Sequence, residues 1–146
     1  MRSTPERKRD VLQLLQQNPS GWLATASGDG APHVIAVSAW WDGDRLTVTT
    51  RSRSRTARNL EASRRARLVF GTPEDAILVD GGLTESALAA SAPELATDWN
   101  EVHGWDPRDE PGDWAFYRFE PVRIQAYRGY DEHEGSDVMR DGRWLA

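Results

Sequence analysis

The sequence predicts a mainly β (α+β) fold, an antiparallel barrel of six or more short strands with flanking helices. Three observations predict it: strand-length apolar segments recur along the chain, glycine- and aspartate-rich turns separate them, and few stretches carry helix signals. The first element is a helix over about 5 to 17, because Ser3-Thr4-Pro5-Glu6 has capping-box spacing and Val11, Leu12, Leu14 and Leu15 follow as an apolar stripe up to Asn18-Pro19. The segments "GWLATAS", "PHVIAVSAWW" and "RLTVTT", joined by "GDGA" and "DGD", then read as three strands of an antiparallel meander. "TARNLEAS" is a short helix, and "ARLVFG" and "DAILVDGG" are two further strands. A helix is expected from Pro93 to about His103, followed by the loop "GWDPRDEPGD". "WAFYRFEPVRIQAYRGY" is a long strand interrupted at Glu120-Pro121 by a bulge or an edge position, and "MRDGRWL" forms a small hairpin around Asp141-Gly142.

Composition bounds the function. A chain of 146 residues fits one domain, 1–146, with an N-terminal helix in 1–18 and a C-terminal extension in 137–146. With 38% hydrophobic and 28% charged residues and seven tryptophans, it is a folded protein and not a disordered one. No apolar run reaches the roughly 20 residues of a membrane span, and the polar start "MRSTPERKRD" lacks the apolar core of a signal peptide, so a cytoplasmic location is expected. The absence of cysteine excludes thiol catalysis and thiolate metal sites.

Charge is unevenly distributed. From Arg45 to Arg67 there are eight arginines and one acid, Glu61, so this segment carries +7 while the remainder carries -12. Arg51, Arg53, Arg55 and Arg58 cluster where a strand ends and a helix begins. Helix starts present unpaired N–H groups and partial positive charge, so arginines there are unfavourable unless an anion is bound. Ser52, Ser54 and Thr56 add hydroxyls between the guanidinium groups, and together these are the donors a phosphate ester needs. The alternative is a solvated loop of an arginine-rich protein, its charges met by acids such as Asp42 and Asp44.

"LATASGDGAPHVIAVSAWWDGDRLTVTT", followed by "SRTARNL" and "ARLVFG", resembles the pyridoxamine 5'-phosphate oxidase-like superfamily of flavin and deazaflavin oxidoreductases. Leu23, Ala24, Thr25, Asp29, Gly30, Pro32, His33 and Val34 carry the first half of the resemblance. Asp42, Gly43, Thr50, Ser54, Arg55, Asn59 and Leu60 carry the second. It implies a split β-barrel homodimer that binds coenzyme F-420 or FMN in a cleft between subunits. The cofactor phosphate would be held by Thr50, Arg53, Ser54, Arg55, Thr56 and Arg58, and the ring system would lie against Val37, Ser38 and Ala39. Such a cofactor carries the redox chemistry itself, in accord with a chain that shows no nucleophile or catalytic triad.

Two departures matter. The family usually has lysine where this chain has Thr56, so an ammonium contact to phosphate is missing and Arg53 or Arg55 must compensate. The Arg-Leu-x-Pro ending of true pyridoxamine phosphate oxidases is replaced by Gly142-Arg143-Trp144-Leu145-Ala146, so vitamin B6 oxidation is not expected. An arginine-rich rim favours the deazaflavin, whose polyglutamate tail is anionic.

The expected function is transfer of a hydride or electron pair between this cofactor and a small organic substrate. The alternative is a split barrel that sequesters a cofactor, or haem, without turnover. Nucleic acid is disfavoured because the surrounding -12 would repel a long polyanion. His33, His103 and His133 are too dispersed for a recognisable metal motif, and Asp131-Glu132-His133-Glu134 reads as a solvated acidic turn. Trp40 and Trp41 should point to opposite faces of their strand, and Trp105 and Trp144 are candidates to cap the cleft.

Overall fold

A computed structural model describes all of residues 1–146. Its helices are α1 (Thr4–Leu15), α2 (Arg55–Ser63) and α3 (Pro93–His103). The strands are β1 (Ser20–Ala26), β2 (Pro32–Ser38), β3 (Trp40–Trp41), β4 (Leu46–Arg51), β5 (Arg65–Thr72), β6 (Asp75–Leu88), β7 (Trp114–Arg128), β8 (Asp137–Arg140) and β9 (Arg143–Trp144). They form a nine-stranded sheet in the order β2-β1-β5-β6-β7-β4-β3, with β8 pairing β7 and β9 pairing β8. All pairings are antiparallel. Strands β2 and β4 come into contact without pairing, which leaves the barrel split along one seam.

Local signals account for most of these elements. Ser3 and Glu6 form the full capping box that starts α1, and Val11 and Leu15 are completely buried beneath it. Asp141 and Gly142 both have positive φ, 53° and 74°, as a two-residue hairpin between β8 and β9 requires. The interruption in β7 is a bulge. Asp80 pairs with Arg123 and Gly81 with Pro121, which leaves Val122 as the extra residue. Strand β6 runs past the expected "DAILVDGG" to Leu88, because β7 offers it a partner as far as Ala115.

The meander does not form as expected. "PHVIAVSAWW" is broken at Ala39, and its two halves, β2 and β3, lie at opposite ends of the strand order. Both backbone groups of Ala39 are taken outside the ladder: its N–H donates to Pro19 O at 3.0 Å, and its carbonyl lies 3.0 Å from His103 Nε2. Only Trp40 and Trp41 continue as a strand, against Thr47 and Leu46.

Because neighbours alternate in direction, β1, β4 and β6 run one way and β2, β5 and β7 the other. The end of β4 and the beginnings of β2 and β5 therefore share one end of the barrel. Helix α2 crosses that end, packing against β1, β2 and β4, and buries Ala57 and Leu60 in the main core. A second, smaller core of Ala89, Ala96, Trp99 and Phe116 lies under α3, with Trp40, Trp105 and Trp114 packed against it. Trp41 belongs to the main core, so the two adjacent tryptophans do face opposite ways.

Candidate functional site

The arginine cluster occupies the turn between β4 and α2. Ser54 is the N-cap, its backbone extended (φ -73°, ψ 163°) and its hydroxyl accepting from Ala57 N–H at 3.1 Å. Arg58 N–H is bonded to the Ser54 carbonyl, whereas the amides of Arg55 and Thr56 find no partner within the chain. There is no acid in the first turn of α2 to offset the positive end of the helix.

None of the four arginines has a carboxylate within 4 Å. Arg53, Arg55 and Arg58 are exposed, and Arg58 Nη1 donates to the Arg53 carbonyl at 2.9 Å, which tightens the turn without neutralising it. Of the two acids expected as possible partners, Asp44 is exposed and pairs with none of the four, and Asp42 is engaged elsewhere. Asp42 is held by Arg118 at 2.7 Å and by Arg45 at 4.0 Å, and Glu85 by Arg45 at 3.2 Å. Elsewhere, arginines such as Arg2, Arg67, Arg108, Arg123 and Arg140 are ion-paired; what marks the turn is that four unpaired guanidiniums fall within eight residues at a helix start.

Thr50 and Thr56 are buried beside this turn, at 9% and 0% exposure, and Thr56 Oγ1 is a buried hydroxyl with no hydrogen-bond partner. Such a group is costly to leave unsatisfied. Further along α2, Asn59 Nδ2 donates to Thr25 Oγ1 at 3.1 Å, which explains why both polar residues are tolerated inside the barrel. Tyr117 is nearly fully buried, and burial, with a smaller contribution from Glu61, raises its phenol above the ordinary range.

Thr50, Arg53, Ser54, Arg55, Thr56 and Arg58 thus come together in one turn. Val37, Ser38 and Ala39 do not join them directly. They lie at the β3 end of β4, near Trp40 and its partner Thr47, and Thr50 is three residues, about 10 Å, further along the strand. Pro32 and His33, at the start of β2, are the residues that share the turn's end of the barrel. Their placement depends on strand direction and could not be read from composition. Val37 and Ala39 are buried at 7% and 0%, and Ser38 is half-buried. His103 donates from Nε2 to the Ala39 carbonyl, and burial is the main cause that lowers its pKa from the ordinary value.

The expected capping residues divide. Trp105 stands edge-on to Trp114, with ring centroids 5.7 Å apart, and Trp114 adjoins the turn through Arg51. Trp144 packs instead beside α1, under Lys8. The larger concavities also lie away from the turn. One of about 560 Å³ sits over β1, β5 and β6, lined by Thr25, Arg65, Arg67 and Gly82 among others.

The family model described as pyridoxamine 5'-phosphate oxidase matches residues 8–128, a span that includes the split seam, the turn and α2. The chain belongs to the pyridoxamine 5'-phosphate oxidase family. Solved structures share the fold of this family member. An F-420 reductase superposes with a TM-score of 0.63 at 24% identity, covering 77% of this chain and 93% of its own. General stress protein 26 from Bacillus anthracis gives 0.61 at 20% identity, covering 82% and 92%. A pyridoxamine 5'-phosphate oxidase-related, FMN binding protein from Nostoc punctiforme gives 0.63 at 16% identity, covering 94% and 90%. No curated protein matches this family member by sequence. No helix is long and apolar enough to cross a membrane.

Proposed function

We propose that the protein is an oxidoreductase that binds coenzyme F-420 or FMN and passes a hydride or electron pair to or from a small organic substrate. The observation that carries this reading is the β4–α2 turn, where four guanidinium groups lack carboxylates, two helix amides are free and the Thr56 hydroxyl is buried without a partner. These are donors arranged for a phosphate, and family membership supports a phosphorylated redox cofactor as its source. Four guanidiniums exceed what one phosphate monoester requires, which favours the deazaflavin with its longer anionic tail.

Arg53, Ser54, Arg55, Thr56 and Arg58 would hold the phosphate, with Thr50 beside them. Some 10 Å along the seam, Val37, Ser38 and Ala39 would wall the ring. Only β1 pairs with β2, so the opposite edge of β2 has backbone groups free to meet polar atoms of a heterocycle. Ala39 contributes shape alone, since both of its backbone groups are used. When bound, the cofactor supplies the electron pair; the chain binds, orients and excludes water. Reduced, cofactor-loaded protein should be reoxidised by a suitable quinone or enone faster than free cofactor is. Equal rates across a broad panel would favour a binding protein without turnover.

A homodimer is part of the proposal. Trp22 and Val34 are each 54% exposed on the outer face of β1 and β2, where Ala26 and Ala36 are also exposed. An apolar sheet face of this kind suits a two-fold contact with a second copy. Trp22→Arg should yield monomers in sedimentation velocity, and a wild-type protein that sediments as a monomer at high concentration would remove this part of the proposal.

A further inference from the structure

We propose that Trp114 is a positioning residue that sets Arg51 toward the anion held by the β4–α2 turn, making Arg51 an additional contact for an oligo-anionic ligand. The inference rests on the anion-binding reading of that turn and extends it to two residues outside the phosphate set.

Arg51 and Trp114 are cross-strand partners at the end of β4 and the start of β7. The guanidinium carbon lies 5.9 Å from the Trp114 ring centroid, within cation–π range. The ring is itself fixed. Its Nε1–H donates to the Pro111 carbonyl at 3.1 Å, and Trp105 stands edge-on to it. Trp105 in turn stands edge-on to Trp99 at 5.8 Å, and Trp99 is fully buried under α3. The loop before β7 closes on the turn from the same side. Ser52 N–H donates to the Asp113 carbonyl at 2.8 Å, and the Cα of Gly112 faces the Arg51 side chain, where a Cβ would lie 3.8 Å from Nε. A line of packed aromatic rings therefore runs from the second core to one exposed guanidinium.

A second pair in the same molecule shows what this arrangement looks like when its purpose is structural. Arg118 lies over Trp40 at 5.7 Å, but its charge is met by Asp42 at 2.7 Å and Glu85 at 3.5 Å, and Nε donates to Thr47 Oγ1 at 3.0 Å. Arg51 has the aromatic support and no carboxylate. An exposed arginine ordinarily loses much rotamer freedom on binding an anion, and a ring that already restricts it reduces that loss.

The test is calorimetric titration of the full chain with inorganic pyrophosphate, chosen because it probes the anion site without a redox cofactor. Trp114→Leu and Arg51→Gln should each weaken binding about 5- to 10-fold, and Trp114→Phe, which retains an aromatic face, should recover most of the affinity. The double variant should bind no more weakly than Arg51→Gln alone, because the ring acts through the guanidinium. A structural role for Trp114 would instead add its loss to that of Arg51→Gln, and this result overturns the proposal. So does wild-type affinity in Arg51→Gln, an exposed substitution that stays informative even if Trp114→Leu fails to fold. Pyrophosphate binding that depends on Arg55 and Arg58 but not on Arg51 or Trp114 refutes this inference alone, whereas no binding by the wild-type protein refutes the anion reading with it.

Discussion

Replacing Arg55 and Arg58 together by alanine should lower affinity for the phosphorylated cofactor by about 10²- to 10⁴-fold and leave the fold intact. The magnitude follows from two charge-assisted hydrogen bonds at roughly 1.5–3 kcal/mol each. The fold should tolerate the change because both side chains are exposed and neither has a carboxylate partner. Removing two positive charges from the start of α2 should stabilise the free protein slightly, since cations there oppose the helix dipole. Lower affinity accompanied by unchanged or higher melting temperature is thus the expected result, measured by titration and thermal unfolding on the same samples. Unchanged affinity would remove the turn from the site. The intended control is Arg143→Ala, another exposed arginine without a carboxylate partner, which lies in β9 and outside the turn.

The second large effect lies in Glu132. This carboxylate is 2% exposed, and Arg2 binds it through both main chain and side chain: the backbone N–H donates to Oε2 at 2.6 Å and Nη2 to Oε1 at 2.7 Å. Arg128 N–H adds a bond of 2.8 Å. The side-chain bonds from Arg2 are the main cause of a pKa lowered to about 2 from the ordinary 4.5, against the opposing effect of burial. A depressed carboxylate contributes stability that is present above its unfolded pKa and lost as pH falls toward the folded one. Stability should therefore decline from about pH 5 down to about pH 2. Glu132→Gln should cost about 3 kcal/mol at pH 7, since it removes the buried charge that accepts from Arg2 and Arg128 and leaves Arg2 with Asp10, at 3.0 Å, as its remaining carboxylate. Chemical denaturation of both proteins at pH 7 and pH 3 checks this, the gap between them narrowing at the lower pH. A gap that stays constant would mean that the loss is one of packing and not of charge.

Glu132 also shows where the sequence ceased to be informative. Asp131-Glu132-His133-Glu134 reads locally as a solvated acidic turn, and for Glu132 that reading is wrong. Its chief partner, Arg2, stands 130 residues away, and no local pattern announces such a pairing. The break at Ala39 has the same origin, because it is decided by Pro19 and His103 and not by the apolar run containing it. Features encoded within a few residues were legible: the Ser3–Glu6 box, the Ser54 cap, the Asp141-Gly142 hairpin and the bulge beside Pro121.

The candidate site divides along the same line. The concentration of arginine at a helix start was visible because charge and capping are local properties. That these arginines are left without carboxylates became visible only when Asp42 was found committed to Arg118. Equally, the distance along β4 between the turn and Val37–Ala39 depends on strand direction, and hence on the whole sheet order. Arg51 and Trp114 become neighbours only through the β4–β7 pairing.

The most direct test of the proposed cofactor site is a parallel titration of the apo-protein with FMN and with coenzyme F-420, followed by quenching of its tryptophans. Trp114 stands beside the turn and Trp105 beside Trp114, so a ligand seated there should quench tryptophan emission, with saturation at low micromolar concentration for at least one of the two cofactors. Saturable quenching that disappears in the Arg55→Ala/Arg58→Ala protein is the predicted result. Absence of quenching by both cofactors, in a protein shown to be folded, would contradict it.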